Sequence, residues 1–89
     1  MIRIETLETG DLVTFLLSGR IEKEDLGELK TLLEKNEKAV VLDLKGVKLV
    51  DREAIIFLAN FETDNATITN CPPYIREWIR SERAQHRND

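Results

Sequence analysis

Apolar and polar positions alternate at the start of the chain: Ile2 and Ile4 with Arg3 and Glu5, then Val13, Phe15 and Leu17 with Thr14, Leu16 and Ser18. A period of two places one set of side chains on one face of a strand, and Glu8-Thr9-Gly10-Asp11 between the two runs supplies a turn, so a hairpin is predicted. From Glu22 the period lengthens. Leu26, Leu29, Leu32 and Leu33 share a helical face, with Glu22, Glu24 and Asp25 in the first turn and Lys35 in the last, each sign suited to the helix dipole there. This predicts an amphipathic helix of about four turns.

Ala39-Val40-Val41-Leu42-Asp43-Leu44 is a β-branched apolar run, which predicts a central strand, and Gly46 is expected to close it. Asp51 is placed to cap a second helix through about Glu62, with Ala54, Ile55, Leu58 and Phe61 on one side and Ile56, Phe57 and Ala59 widening the apolar surface. Ala66-Thr67-Ile68-Thr69 reads as a short strand after a tight connection around Thr63-Asp64-Asn65. Cys71-Pro72-Pro73 then opens a last helix on which Ile75, Trp78 and Ile79 align. Residues Gln85 to Asp89 are expected to fray. The order β-β-α-β-α-β-α, with an N-terminal hairpin and three helices, predicts a single α/β domain over residues 1–89 with a mixed sheet and right-handed crossovers.

A chain of 89 residues holds one modest core, and 42% apolar with 34% charged residues lies well away from disordered compositions. The net charge of −4 disfavours nucleic acid, whose binding rests on neutralising phosphates. The single cysteine rules out an intrachain disulfide framework. No apolar run approaches the ~20 residues that cross a bilayer, so a cytoplasmic protein without a membrane partner is expected.

Candidate chemistry is sparse. Cys71 as a nucleophile needs a nearby base, and the only histidine, His86, falls in the expected tail; a packed thiol at a strand end is the simpler reading. Together they are too few for zinc, and the scattered glycines form no phosphate-binding loop, so no metal, cofactor or enzymatic activity is expected. Arg76, Arg80, Arg83 and Arg87 align on one side of the last helix, where a solvated face suited to the helix C-terminus is the commoner role and an acidic partner the rarer one. Trp78 reads as a core anchor.

The remaining feature is Asp51-Arg52-Glu53, wedged between Leu49-Val50 and an apolar helix. As a helix start it is explained by Asp51 accepting orphan N–H groups and Glu53 complementing the dipole. The wider pattern, Val40-Val41-Leu42-Asp43-Leu44-Lys45-Gly46-Val47 followed by Leu49-Val50-Asp51 and the helix Ala54 to Phe61, resembles the STAS domain of bacterial anti-sigma-factor antagonists. In that family an apolar-Asp-Leu-x-Gly-apolar strand leads to an apolar-Asp-Ser-Ser-Gly loop at a helix start.

The resemblance implies a non-enzymatic regulatory module that binds a kinase or anti-sigma factor and is switched by phosphorylation of a loop hydroxyl. It implies a partner surface over the 45 to 56 segment, carried by Asp51, Arg52, Glu53, Ile55 and Ile56. Arg52 and Glu53 replace the two hydroxyl residues and Ala54 the glycine, and no Ser, Thr or Tyr lies between Lys45 and Ala59, so the phosphorylation switch is absent there. Glu53 brings fixed charge to that position and mimics a phosphate only in part. A second reading, a small nucleotide- or ligand-binding STAS-like sensor, is also implied by the family, with the lack of a glycine-rich loop against it.

Overall fold

The computed structural model describes residues 2–62 and 65–87; Thr63, Asp64 and the last two residues lie outside it, as do the side chains of His86 and Arg87. The expected order is found: β1 Ile2–Thr9, β2 Leu12–Ile21, a 3-10 turn Lys23–Asp25 running into α1 Leu26–Glu34, β3 Ala39–Val50, α2 Arg52–Phe61, β4 Ala66–Thr69 and α3 Pro73–Arg87. The chain is thus an α/β domain with a four-stranded mixed sheet in the order β1-β2-β3-β4. The first pair is antiparallel and the other two are parallel.

Because β2, β3 and β4 succeed one another across the sheet, right-handed crossovers place α1 and α2 on the same face. Burial follows that geometry. Val13, Phe15 and Leu17 of β2, Val40, Leu42 and Leu44 of β3, and Ile68 of β4 turn inward to meet Leu26, Leu29, Ala54, Ile55, Leu58, Ile75 and Ile79 in one core. The alternate residues, among them Arg3, Glu5, Thr14, Leu16, Val41 and Thr67, lie on the other face, where they are exposed or half-buried. The outward apolar members Leu7 and Leu12 are 56% and 37% exposed.

Gly46 does not close β3, as its position after the apolar run suggests, but lies inside a twelve-residue strand. The pairing with β2 slips twice, between Leu16 and Ser18 and between Gly19 and Arg20, as β3 inserts extra residues. Such bulges re-aim side chains, and so Leu44 and Val47, three residues apart, are both buried. At the first slip Gly46 stands opposite Ser18, and a Cβ there would come within 2.7 Å of the Ser18 Cβ and 3.3 Å of the Leu17 carbonyl oxygen. Glycine is therefore required by close approach of two strands rather than by a strand end.

Trp78 is half-buried and packs on the rim of the core, while Ile75 and Ile79 are fully enclosed. Helical backbone continues through Arg87, across the first part of the segment expected to fray, whose last two residues lie outside the described ones.

Candidate functional site

Two parallel strands, β2 and β3, end side by side, and each is followed at once by a helical start. Asp51 sits at this junction. Its backbone N–H donates to the Ile21 carbonyl at 3.3 Å, extending the strand pairing by one step. With φ −98° and ψ 176° its backbone is extended, which frees the side chain to turn back over α2. Oδ1 accepts from the Ala54 N–H at 2.9 Å, the cap anticipated from the sequence. Oδ2 accepts from the Lys23 N–H at 2.8 Å, a contact across 28 residues that no local pattern reveals. One carboxylate thus serves the beginnings of both helical segments, while Glu22 and Asp25 close the first of them with a capping box.

Asp51→Ala leaves two backbone donors without their acceptor. A loss of about 1 to 3 kcal/mol in urea unfolding is expected. A loss confined to a few tenths would mean that water replaces both bonds.

The other residues of the triplet part company. Arg52 is exposed but not free: its Nε lies 3.3 Å from Oε1 of Glu82 on α3, whose side chain is almost wholly buried. Its role is to balance an enclosed carboxylate and hold α3 against the start of α2. Glu53 is exposed and borders a concavity of about 350 Å³ between α1 and α2, lined also by Leu26, Lys30, Ile56, Phe57, Asn60 and Phe61. Phe57 and Phe61 stack one helical turn apart, ring centres 6.2 Å from each other.

Two expectations about this surface are corrected. Ile55 is fully buried beneath α2, on the stripe it shares with Ala54 and Leu58, and offers nothing to a partner; Ile56, one position on, turns about 100° around the helix into the concavity. Of the 45 to 56 segment, residues 45–50 belong to β3, which does not stop at Gly46 as expected, so the connection between β3 and α2 is Asp51 alone.

The arginines of α3 are likewise divided by their surroundings. Arg76 and Arg83 converge on Glu62 at the end of α2, at 2.8 and 2.7 Å, and Arg83 also donates twice to the Ala59 carbonyl. Arg83 thereby satisfies a carbonyl near the end of α2, where carbonyls lack helical partners, while Arg76 pairs with the Glu62 carboxylate alone. The Arg76 hydrogen bond holds the Glu62 carboxyl below its usual range, against the opposing effect of partial burial, and Arg83 adds to the lowering. Arg80 pairs with Glu77 in solvent, and the Arg87 side chain lies outside the described residues. Among the described residues no uninterrupted basic stripe is presented.

Cys71 is half-buried, and burial pushes its thiol up, away from the thiolate that nucleophilic chemistry uses. Among the described residues no group of three or more His, Cys, Asp or Glu could hold a metal ion, and no helix is long and apolar enough to cross a membrane.

No family model matches the chain, and neither does any curated protein. Among solved structures the chain is similar to an uncharacterised protein of the DUF3478 family with a SpoIIAA-like fold from Shewanella loihica PV-4. The two share 13% identity and a TM-score of 0.48, over 88% of this chain and 93% of that one.

Proposed function

We propose that the protein is a non-enzymatic, STAS-like regulatory module that binds a protein partner through the concavity between α1 and α2 and the adjoining start of α2. The observation that carries this reading is the concavity itself. Ile56, Phe57 and Phe61 stand half-buried in it, an apolar floor, with Lys30 and Glu53 as charged neighbours. Apolar and aromatic anchors beside polar groups are what protein interfaces concentrate. The STAS resemblance supports the same end of the fold, with Glu53 standing where the family carries a phosphorylatable hydroxyl.

In this reading control does not come from phosphorylation of the helix start. Glu53 brings one permanent negative charge beside the concavity, against the −1.5 to −2 or so of a phosphate, so the surface is held in one electrostatic state. Asp51 and Arg52 act behind it, fixing the start of α2 against the 3-10 turn and against α3.

The test is photo-crosslinking from position 57 in cells, with position 67 on the opposite sheet face as control, followed by calorimetric titration of the captured protein. Ile56→Ala is expected to weaken that complex by about 1 kcal/mol or more. Glu53→Ser is expected to change affinity, downward if the carboxylate makes a contact and upward if it repels the partner. Unchanged affinity in both variants sinks the proposed surface.

A further inference from the structure

The two edges of the sheet are not alike. β4 is only four residues long and is followed by Asn70, held in the left-handed region at φ 51°, and by Pro72 and Pro73, which interrupt any further pairing. β1 has eight residues without proline or glycine, and its pairing with β2 runs from Ile2 to Thr9 without a slip. A regular outer strand of this kind is a template for another strand unless its side chains forbid it.

The side chains of β1 select one partner and one register. Arg3 and Glu5 lie on the face away from the helices, both exposed, and among the described residues neither makes an ion pair or a side-chain hydrogen bond. Ile2 and Ile4 lie on the helix face, half-buried at the rim of the core, with the remainder of their surface at the sheet edge. Residues directly opposite in an antiparallel pair share a face. If two copies of β1 meet antiparallel about a two-fold axis at Ile4, Ile4 meets Ile4, Ile2 meets Thr6, and Arg3 meets Glu5 twice.

On the helix face the two Ile4 side chains then cover one another and each Ile2 lies against Thr6, while two opposite-charge pairs form on the other face. Shifting the axis to Glu5 sets Glu5 against Glu5, and shifting it to Thr6 sets Ile4 against Glu8. Both shifted arrangements are worse. Glu8 is already near Lys38, at 3.7 Å, and lies beyond the strand pairing centred on Ile4.

We infer that β1 is a self-association edge, pairing antiparallel with β1 of a second copy about an axis at Ile4 to give a continuous eight-stranded sheet. Such a contact is isologous and closes on itself, so it ends at the dimer. It is small, in the range of weak and transient interfaces, and the dimer forms at high protein concentration.

Sedimentation equilibrium of the full chain from micromolar to about millimolar concentration tests it. A monomer–dimer equilibrium is expected. Arg3→Glu, which sets like charges opposite one another twice, raises the dissociation constant about tenfold or more. The double exchange Arg3→Glu with Glu5→Arg reverses both pairs and restores the wild-type constant to within about threefold. A chain that stays monomeric throughout, an Arg3→Glu variant that dimerises like wild type, or a double exchange that does not recover overturns the inference. Amide exchange gives a check independent of the variants: protection of residues 2–6 rises with concentration. A rise confined to other segments places the contact elsewhere and overturns it too.

Discussion

Ile55→Ala is expected to lower the unfolding free energy by about 2 to 5 kcal/mol, the range seen when a fully enclosed aliphatic side chain is cut to a methyl group. Ile55 is 0% exposed and belongs to the core formed by the inward face of the sheet and the three helices. The cavity left behind has few ways to collapse, since α2 is anchored at both ends. At its start Asp51 bonds Ala54 and Lys23, and at its finish Arg76 and Arg83 hold Glu62. Single domains have a total stability of about 5 to 15 kcal/mol, so the upper end of the loss would leave this one barely folded at room temperature. Urea unfolding followed by far-ultraviolet circular dichroism reads the effect directly. A loss below about 1 kcal/mol would mean that Ile55 does not occupy the core. Ile56→Ala, one residue away, is expected to cost much less, so the pair separates a packing position from a surface one.

The second large effect is expected at Gly46. Alanine there puts a Cβ 2.7 Å from the Ser18 Cβ and 3.3 Å from both the Ser18 Cα and the Leu17 carbonyl oxygen. None of these atoms is the end of a flexible side chain, so relief requires β2 and β3 to move apart where their pairing already slips. A loss of about 1 to 3 kcal/mol is expected for forcing a methyl group into such a contact. Since Ser18 supplies the closest atom, Ser18→Gly in the same chain should recover part of that loss, and a double-mutant cycle measures the coupling. Purely additive losses would show that the clash is relieved elsewhere.

Gly46 also shows where the sequence is legible and where it is not. The alternation of Val13, Phe15 and Leu17 and the helical spacing of Leu26, Leu29, Ile75 and Ile79 express burial directly, and those positions are buried. The Asp51 cap was legible because it acts three residues away. A bulge is different: it depends on what the neighbouring strand does, and a glycine after an apolar run looks the same whether the strand ends there or bends. Long-range polar contacts are hidden for the same reason. The spacing of Arg76, Arg80 and Arg83 puts them on one side of a helix, but only the packing of α3 on α2 decides that two of them face Glu62 and the third faces solvent. Spacing alone puts Ile55 on the apolar stripe with Ala54 and Leu58, where it is buried; the partner role that the STAS resemblance implies for it disregards that stripe. The concavity between α1 and α2 joins residues from Leu26 to Phe61 and has no local signature.

The strand order β1-β2-β3-β4 bears on how the molecule is made. Every strand pairs with the one that precedes it in the chain, so a polypeptide emerging from the ribosome can add strands one at a time, the hairpin first, without waiting for a distant segment to be inserted between them. The last strand is the exception in timing. Until Ala66–Thr69 and α3 have been synthesised, the outer edge of β3 from Val40 to Asp43 stays unpaired, and the side of α2 that Ile75 and Ile79 help to enclose stays open. The nascent domain is therefore most exposed to misassociation before β4 and α3 emerge, and that short strand and helix act as the step that closes its sheet and core.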